Sequence, residues 1–465
     1  MRTRPLPGLL LLSLAGALSA CDSDDPTAPE TRAPRLIAAA ADSNQWNTIS
    51  AIMTVRAVHA DSAHVRFWKG TAPAERTPAF PIGADSVAVF PVLGLDTASS
   101  YSLEVNLHGS DGVVAVDTLT FQTGSLPAWI PAFGVQGTDT TPGYFLLSFP
   151  NGPVISDNSG TVRWYRFTPG GILNSFQAQP NGRYTSLGVA DSSGHLVFDA
   201  AGDSVGKISC VGGYKTRFHD LLVTSAGDTY VMCDDVRVMD LSGDGGVAGA
   251  VVTGTVVQHL DPAGQLQFEW NVFDHFQITD LPLQDRTGPA VNFTHGNGIA
   301  LDLDGNLLLS FRSLNEVTKV DATTGSVLWR FGGPANQFTF VNDPKGAFQR
   351  QHGLRRGAPG EIQFLDNGSA APSRLVRYLL NQQTLVATLV MSYTDPLNLF
   401  ATVGGSTQYY SNGHSTVSFG PVGRVLEVDP AGNLAWEITG VSGLYVFRAQ
   451  RIQSLYFPGK NDPTR

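Results

Sequence analysis

The chain has 465 residues, of which 42% are hydrophobic and 15% are charged, and its formal net charge is −10. This length allows more than one domain. The acidic balance argues against nucleic acid or an anionic membrane face as a partner. Fifty glycines, 28 prolines and the lack of a long amphipathic helical pattern favour many short strands joined by tight turns.

The first residues have the charge order of a secretory signal. Arg2 and Arg4 precede an apolar run over 9–18, which is too short to span a bilayer well. The run ends in Leu18-Ser19-Ala20-Cys21, which resembles the bacterial lipoprotein cleavage box, where the cysteine is acylated. The alternative is an ordinary signal peptide with an incidental cysteine.

We therefore expect residues 1–20 to be a lipoprotein signal peptide and Cys21 to carry the lipid anchor. Residues 21–33, polar and rich in proline, are expected to form a flexible linker. The protein would then be an exported lipoprotein on the periplasmic or cell-surface face of a bacterial membrane. No other segment is apolar for long enough to be a transmembrane helix.

Residues 34–124 are predicted to form a small β-sandwich. The segments 65–68 and 86–90 alternate as half-buried strands do. After the second of these segments comes a Leu, then a turn, and then Tyr101 at the start of an alternating strand. This order is the pattern of a tyrosine corner. Residues 118–123 resemble the last strand of a fibronectin type III domain. Such a domain is expected to serve as a spacer or docking module.

From residue 127 to 460 a different pattern returns several times: a tight Asp/Gly turn followed by a strand that ends in an aromatic residue. Irregular repeats of this kind are typical of a β-propeller, in which the aromatic side chain packs between neighbouring blades. At about 50–60 residues per blade the region holds six blades, with five or seven as alternatives. The repeats lie at 157–164, 191–198, 261–268, 321–329 and 429–436.

Two further cysteines, Cys210 and Cys233, flank a probable hairpin. In an oxidising compartment they form a disulfide or stay as two buried free thiols. Their spacing offers no zinc site, so we expect no metal centre.

Several polar residues interrupt strands of the predicted propeller that otherwise carry no notable functional side chains. Four histidines have polar neighbours in the sequence, and an arginine lies within the strand-like run 308–315. An arginine on the buried side needs an anionic partner, which is a ligand or an internal aspartate. For each histidine the alternative to function is ordinary core packing. The residues are His219, His275, His295, His352 and Arg312.

The ordered set of motifs resembles the bacterial arylsulfate sulfotransferase family over about residues 140–457. The pieces are Trp270 leading to Asp274-His275, His295-Gly296-Asn297, Ser310-Phe311-Arg312, the run 325–333, Gln351-His352 and the run 364–368. The resemblance implies a six-bladed propeller and a nucleotide-independent transfer of a sulfuryl group. The donor would be a phenolic sulfate ester, the acceptor a phenol, and no cofactor would be needed.

The resemblance also implies residue roles. His352 falls on the histidine that attacks sulfur and carries the group covalently. Four residues fall on positions that hold the sulfuryl oxygens and assist the leaving phenol, namely His275, His295, Asn297 and Arg312. Asp274 is expected to orient His275, and His219 is a candidate for substrate binding in the channel. His414 closes the channel mouth or belongs to a loop turn.

This set also makes chemical sense by itself. A transferring sulfuryl group has three equatorial oxygens with the attacking and leaving atoms in line, as a phosphoryl group does. Neutral imidazole is a competent nucleophile, and arginine offers several fixed donors to an oxyanion. Because phenols have a pKa near 10, a proton donor such as a protonated His275 or His295 would help the leaving oxygen.

Two other interpretations remain. One is a surface-tethered binding propeller that recognises a glycan, peptide or protein through its loops and gives His352 no special role. The other is a quinoprotein-like dehydrogenase, because 321–331 also resembles the Trp-bearing repeat of that group. Quinoproteins need about eight blades, and the adjacent cysteine pair common in their alcohol-oxidising members is absent. The N-terminal domain differs from that of the known arylsulfate sulfotransferases, so the oligomeric state is left open.

Overall fold

The computed structural model describes residues 33–460 except 111, 169–172 and 189–192. The predicted signal peptide, Cys21 and nearly all of the predicted linker lie outside the described residues. Within the described parts, the fold is almost entirely β-structure. Its helices there are one turn of α-helix, Leu283–Arg286, and four short 3-10 turns, at Ser242–Asp244, Val272–Asp274, Ile278–Asp280 and Gly420–Val422.

The first eight strands form a two-sheet sandwich, called here the N-terminal sandwich. One sheet has the order β1-β2-β6, and the other has the order β4-β3-β7-β8 with β5 also paired to β3. Alternate side chains of β2 are buried in a shared core with those of β3, β6 and β7, as period-two patterning requires. The strands are β1 Arg35–Ser43, β2 Ala51–Val58, β3 Ser62–Trp68, β4 Glu75–Arg76, β5 Phe80–Pro81, β6 Val87–Val92, β7 Ser100–Gly109 and β8 Gly112–Gln122.

The tyrosine corner is formed as the pattern predicts. Tyr101 is buried, and its hydroxyl oxygen accepts a hydrogen bond from the backbone N–H of Asp96 at 2.9 Å. This bond ties the turn before β7 to the start of that strand.

We expect Tyr101→Phe to lower the free energy of unfolding by about 1 kcal/mol, because the N–H of Asp96 loses its partner. Tyr184→Phe is a matched control, since the Tyr184 hydroxyl is buried without a hydrogen-bond partner. Urea unfolding of both variants measures the difference. Equal losses in the two variants would contradict a specific role for the corner.

The sandwich is joined to the following strands by polar contacts at the same corner. Arg163 reaches the Asp96 carboxylate at 2.5 Å and the carbonyl oxygen of Gly94 at 3.2 Å. Nearby, the N–H of Leu93 donates to the Tyr456 hydroxyl at 3.0 Å. These contacts hold the sandwich against the rest of the chain.

Strands β9 to β35 form six sheets, counted over the described residues, of four or five strands each. The strands are β9 Gly134–Gln136, β10 Tyr144–Phe149, β11 Gly152–Asp157, β12 Val162–Tyr165, β13 Leu173–Ala178, β14 Tyr184–Gly188, β15 His195–Phe198, β16 Ser204–Ile208, β17 Lys215–Val223, β18 Thr229–Met239, β19 Ala250–Leu260, β20 Leu266–Asn271, β21 Ala290–Asn292, β22 Gly296–Leu301, β23 Leu307–Phe311, β24 Glu316–Val320, β25 Val327–Gly332, β26 Thr339–Val341, β27 His352–Arg356, β28 Glu361–Asp366, β29 Arg374–Asn381, β30 Val386–Thr394, β31 Ser406–Tyr409, β32 Ser415–Ser418, β33 Val425–Val428, β34 Leu434–Thr439 and β35 Ala449–Ile452.

The six sheets are arranged around a ring of inner strands, as in a β-propeller. Each inner strand contacts the next, and β35 contacts both β31 and β13, so the ring closes. Both ends of this region take part in closure, because β35 pairs with β10 and β9 pairs with β34. The sheet orders are β35-β10-β11-β12, β13-β14-β15-β16, β17-β18-β19-β20 with β21 beside β19, β22-β23-β24-β25, β27-β28-β29-β30-β26 and β31-β32-β33-β34-β9.

Four of the repeated Asp/Gly turns close the outer hairpin of their sheet, and indole contacts from these repeats link neighbouring sheets. In each of four repeats the aspartate side chain accepts a backbone N–H within its own turn, at Asp157, Asp261, Asp321 and Asp429. The indole N–H of Trp164 donates to Ala200 in the next sheet, and that of Trp436 donates to Asn158. The repeat at 191–198 begins outside the described residues.

Candidate active site

Three histidines meet where the inner strands begin, and we call them the histidine cluster: His219, His295 and His352. His352 opens β27, His295 directly precedes β22, and His219 lies within β17. The Nε2 atoms of His219 and His295 are 3.1 Å apart, and the ring centres of His219 and His352 are 6.2 Å apart. Because inner strands of different sheets converge on the channel, residues far apart in sequence lie together there.

The loops that carry two of these residues have unusual backbone conformations. His295 has φ +48° and Arg350, two residues before His352, has φ +54°, a region that non-glycine residues seldom adopt. The N–H of Arg312 donates to the carbonyl oxygen of His295 at 3.1 Å, which helps to hold that turn. Backbone strain of this kind is concentrated at functional sites.

The surroundings of His352 determine its tautomer. Its Nδ1 lies 3.0 Å from the carbonyl oxygen of Arg350 and 2.9 Å from Oδ1 of Asn367. The Asn367 amide nitrogen donates to the carbonyl oxygens of Ala401 and Gly404, so its oxygen faces the ring. Both neighbours of Nδ1 are acceptors, so Nδ1 carries the proton and Nε2 presents a lone pair. The N–H of Gly404 donates to that Nε2 at 3.3 Å.

Burial keeps the cluster uncharged at neutral pH. Burial lowers the pKa of His352 to about 4, and the positive charge of Arg312 acts in the same direction. Burial, with the charge of Arg217, lowers the pKa of His295 to about 2. Burial and the neighbouring His295 hold the pKa of His219 well below its usual value. A protonated His295 as acid, as the sequence suggested, is therefore disfavoured in the free site.

Arg312 is half-buried beside this cluster, and its buried Nε has no hydrogen-bond partner in the described part of the chain. No carboxylate of the described residues forms an ion pair with it. The nearby Asp285 is already held by Arg350, at 2.8 and 2.9 Å. Of the two partners considered for this arginine, the internal aspartate is therefore not the one used, and its charge is available to an anionic ligand.

Asn297 and His275 lie in different surroundings. Asn297 is buried, and its amide nitrogen donates to the carbonyl oxygen of Gln351 at 2.6 Å, which fixes the chain just before His352. His275 is exposed and stacked on Trp270 with ring centres 5.0 Å apart. No contact of the described residues joins His275 or the exposed Asp274 to the histidine cluster.

Aromatic side chains line one side of the cluster, and we call them the aromatic wall: Phe218, Tyr445 and Phe447. Phe218 stacks on His219 with ring centres 3.9 Å apart. Phe447 lies 6.3 Å from the His219 ring and 6.0 Å from Tyr445. No sequence pattern predicts this wall. The position of Phe218 next to His219 is the signal that was available.

Two other predicted positions are clear in the structure. Cys210 and Cys233 are joined by a disulfide bond. His414 lies in the turn between β31 and β32, with its Nδ1 3.0 Å from the buried Glu427 carboxylate of β33. Within the described residues, no group of three or more His, Cys, Asp or Glu side chains is placed to hold a metal ion, and no helix is long and apolar enough to cross a membrane.

These features define a β-propeller in which a buried neutral imidazole, an arginine without an ion-pair partner among the described residues and an aromatic wall lie together. The chain belongs to the arylsulfotransferase family. The family model described as Arylsulfotransferase (ASST) matches residues 168–441, which is more than half of the chain. Membership supports an aryl sulfotransferase enzyme acting on small aromatic molecules.

Solved structures with a related fold share little sequence with this chain. A protein of unknown function from Bacteroides caccae is 14% identical with a TM-score of 0.42, over 64% of this chain and 93% of that one. Streptogramin B lyase is 13% identical with a TM-score of 0.38, over 67% and 89%. Virginiamycin B lyase from Staphylococcus aureus is 10% identical with a TM-score of 0.35, over 75% and 93%. Scores this low carry no argument about activity. No curated protein matches the chain.

Proposed function

We propose that this protein moves a sulfuryl group from a phenolic sulfate ester to a phenol, with His352 carrying the group between the two. The observation that carries the proposal is the Nε2 lone pair of His352, on a ring that the charge of Arg312 reaches, while Arg312 has no ion-pair partner among the described residues. An aryl sulfate offers an anionic group to Arg312 and a flat ring to the aromatic wall.

In the first half-reaction the Nε2 lone pair of His352 forms a bond to sulfur. The bond between sulfur and the phenolic oxygen breaks, and its electron pair leaves on that oxygen. Nδ1 keeps its proton, so the sulfated ring becomes cationic. The carbonyl oxygens of Arg350 and Asn367 face that N–H at 3.0 and 2.9 Å and stabilise the charge that develops on the ring.

In the second half-reaction a phenol oxygen attacks the same sulfur. The bond between Nε2 and sulfur breaks, and its electron pair returns to the neutral His352 ring. Arg312 interacts with the sulfuryl oxygens in both steps. The N–H of Gly404, which meets Nε2 at 3.3 Å in the free site, lies close to where a sulfuryl oxygen arrives.

The His219–His295 pair provides a route for the proton. Exposed Asn292 lies 2.7 Å from His295 Nδ1, the two Nε2 atoms are 3.1 Å apart, and His219 Nδ1 is buried without a partner. A proton that solvent gives to His295 Nδ1 displaces the Nε2 proton of His295 onto His219 Nε2, and His219 releases its Nδ1 proton to the leaving phenolate. Both rings stay neutral and end as the opposite tautomers. Reversal of the route removes the proton of the acceptor phenol.

The test is to incubate the purified full chain with 4-nitrophenyl sulfate, with and without phenol. We expect nitrophenol release that depends on phenol, formation of phenyl sulfate, and a sulfuryl adduct on His352 by mass spectrometry. Release without an acceptor would indicate hydrolysis. If a panel of aryl sulfates gives neither transfer nor adduct, the proposal fails and a binding propeller is the better interpretation.

The pH dependence provides an independent prediction. His352 is a nucleophile only when neutral, and its pKa is lowered from 6.5 to about 4, so the neutral form persists to lower pH than for an ordinary histidine. With 4-nitrophenyl sulfate, we expect kcat/KM to be constant from about pH 8 to pH 5 and to fall about tenfold per unit below about pH 4. Circular dichroism at each pH controls for unfolding. An acid limb near pH 6.5 would contradict the assignment.

We further propose that the protein works outside the cytoplasm, as a lipoprotein anchored at Cys21. Activated nucleotide sulfates are not expected there, so a transferase needs a donor that is already a sulfate ester and a nucleophile of its own. The N-terminal sandwich, joined to the propeller through Arg163 and Asp96, would act as a spacer from the membrane. Globomycin treatment of expressing cells tests the anchor: uncleaved precursor supports it, and normal processing contradicts it.

A further inference from the structure

A second group of buried charges lies in the central channel, directly after His219 in the chain. Asp220 on β17 is fully buried, and it faces Arg355 at the end of β27 and Arg448 just before β35. Arg355 donates to Asp220 Oδ2 at 3.0 Å, and Arg448 lies 3.4 Å from Asp220 Oδ1. Arg448 also donates to the carbonyl oxygen of His219 at 3.1 Å.

The charges in this group do not balance. Among the described residues, Asp220 is the one acidic side chain that pairs with either arginine, so one positive charge remains uncompensated. Arg448 is 4% exposed, and its Nε has no hydrogen-bond partner among the residues that the structure describes. A buried cation without a counter-charge is costly, so an anion is expected to accompany it.

A narrow cavity opens at the same place. Arg355 and Arg448 line it together with Ser406, Thr407 and Gln408 of β31 and Gln450 of β35. It has room for one water-sized particle.

We propose that this cavity binds one monatomic anion, with chloride as the ligand, between Arg355 and Arg448. The anion neutralises the surplus charge and links β27, β31 and β35, the inner strands of three different sheets. The site adjoins the histidine cluster through the bond from Arg448 to the His219 carbonyl oxygen, but the proposal does not depend on the sulfuryl-transfer activity.

The first test is the melting temperature of the full chain at constant ionic strength, with sodium chloride replacing sodium gluconate. We expect the midpoint to rise by about 2–4 °C between low chloride and 100 mM chloride, because the ligand binds the folded state alone. Arg448→Gln, which removes the surplus charge, should abolish the rise. Arg66→Gln, an exposed arginine of the sandwich, should retain it. No chloride-dependent rise in the unmodified chain would overturn the proposal, and so would an equal rise in Arg448→Gln.

The second test needs no variant. Crystals grown in sodium bromide should show an anomalous peak between the guanidinium groups of Arg355 and Arg448. Density for water without an anomalous signal would overturn the proposal. A bromide peak without any chloride-dependent change in melting temperature would mean an adventitious ion only, which would overturn it as well.

Discussion

Replacement of His352 by asparagine is expected to lower kcat for sulfuryl transfer by about 10⁴-fold or more and to abolish the sulfuryl adduct. Asparagine keeps a polar side chain of similar reach but has no lone pair of imidazole basicity, so no covalent intermediate forms. Nitrophenol release and the mass of the peptide that contains position 352 measure the two effects.

His259→Asn is the matched control for this experiment. His259 lies on β19, where it stacks on Tyr230 and contacts the Asp228 carboxylate at 3.1 Å, away from the channel. We expect this variant to change kcat by less than about threefold, as other surface substitutions do. If His352→Asn keeps more than about a tenth of the rate, another residue is the nucleophile.

Replacement of Arg312 by glutamine is expected to lower kcat/KM by about 10²–10³-fold, the usual effect of removing one oxyanion donor from a preorganised site. Because no carboxylate of the described residues pairs with Arg312, the substitution leaves no buried acid behind, and the fold should stay intact. Arg312→Lys should recover only part of the loss, because the compact ammonium group of lysine lacks the planar set of N–H donors of a guanidinium.

The exposed Arg66 again provides the control, because Arg66→Gln removes a guanidinium from the sandwich with no contact to the channel. Its kinetics should match those of the unmodified chain. An Arg312→Gln variant with unchanged kcat/KM would show that Arg312 does not bind the sulfuryl group. Melting temperatures of all three proteins distinguish lost binding from lost folding.

Which histidines lie in the cluster depends on packing that the linear sequence does not record. His275 follows Trp270 and Asp274 in a motif-like run, yet its ring stacks on Trp270 at the surface. His219, ranked below it, joins the histidine cluster. The reason is an irregularity in β17: pairing passes from Thr216 opposite Cys233 to Leu221 opposite Val231, so residues between them leave the regular ladder. Such a bulge depends on packing that a linear pattern does not record.

The aromatic wall, like the histidine cluster, depends on tertiary packing. Phe218 and Phe447 are separated by more than two hundred positions and come from the inner-strand regions of two different sheets. Neither has a pattern that distinguishes it from the many core phenylalanines of the chain. Only closure of the strand ring brings them beside His219.

The sequence by itself determined the all-β architecture, the repeated Asp/Gly turns and the motif set that contains His295, Arg312 and His352, because these depend on local turn chemistry and short-range spacing. Tertiary structure alone decided which histidines share the channel mouth, that Arg312 has no acidic partner among the described residues, and that Arg355 and Arg448 share one aspartate. Those facts depend on distances between sheets, which are set by ring closure and by bulges in individual strands.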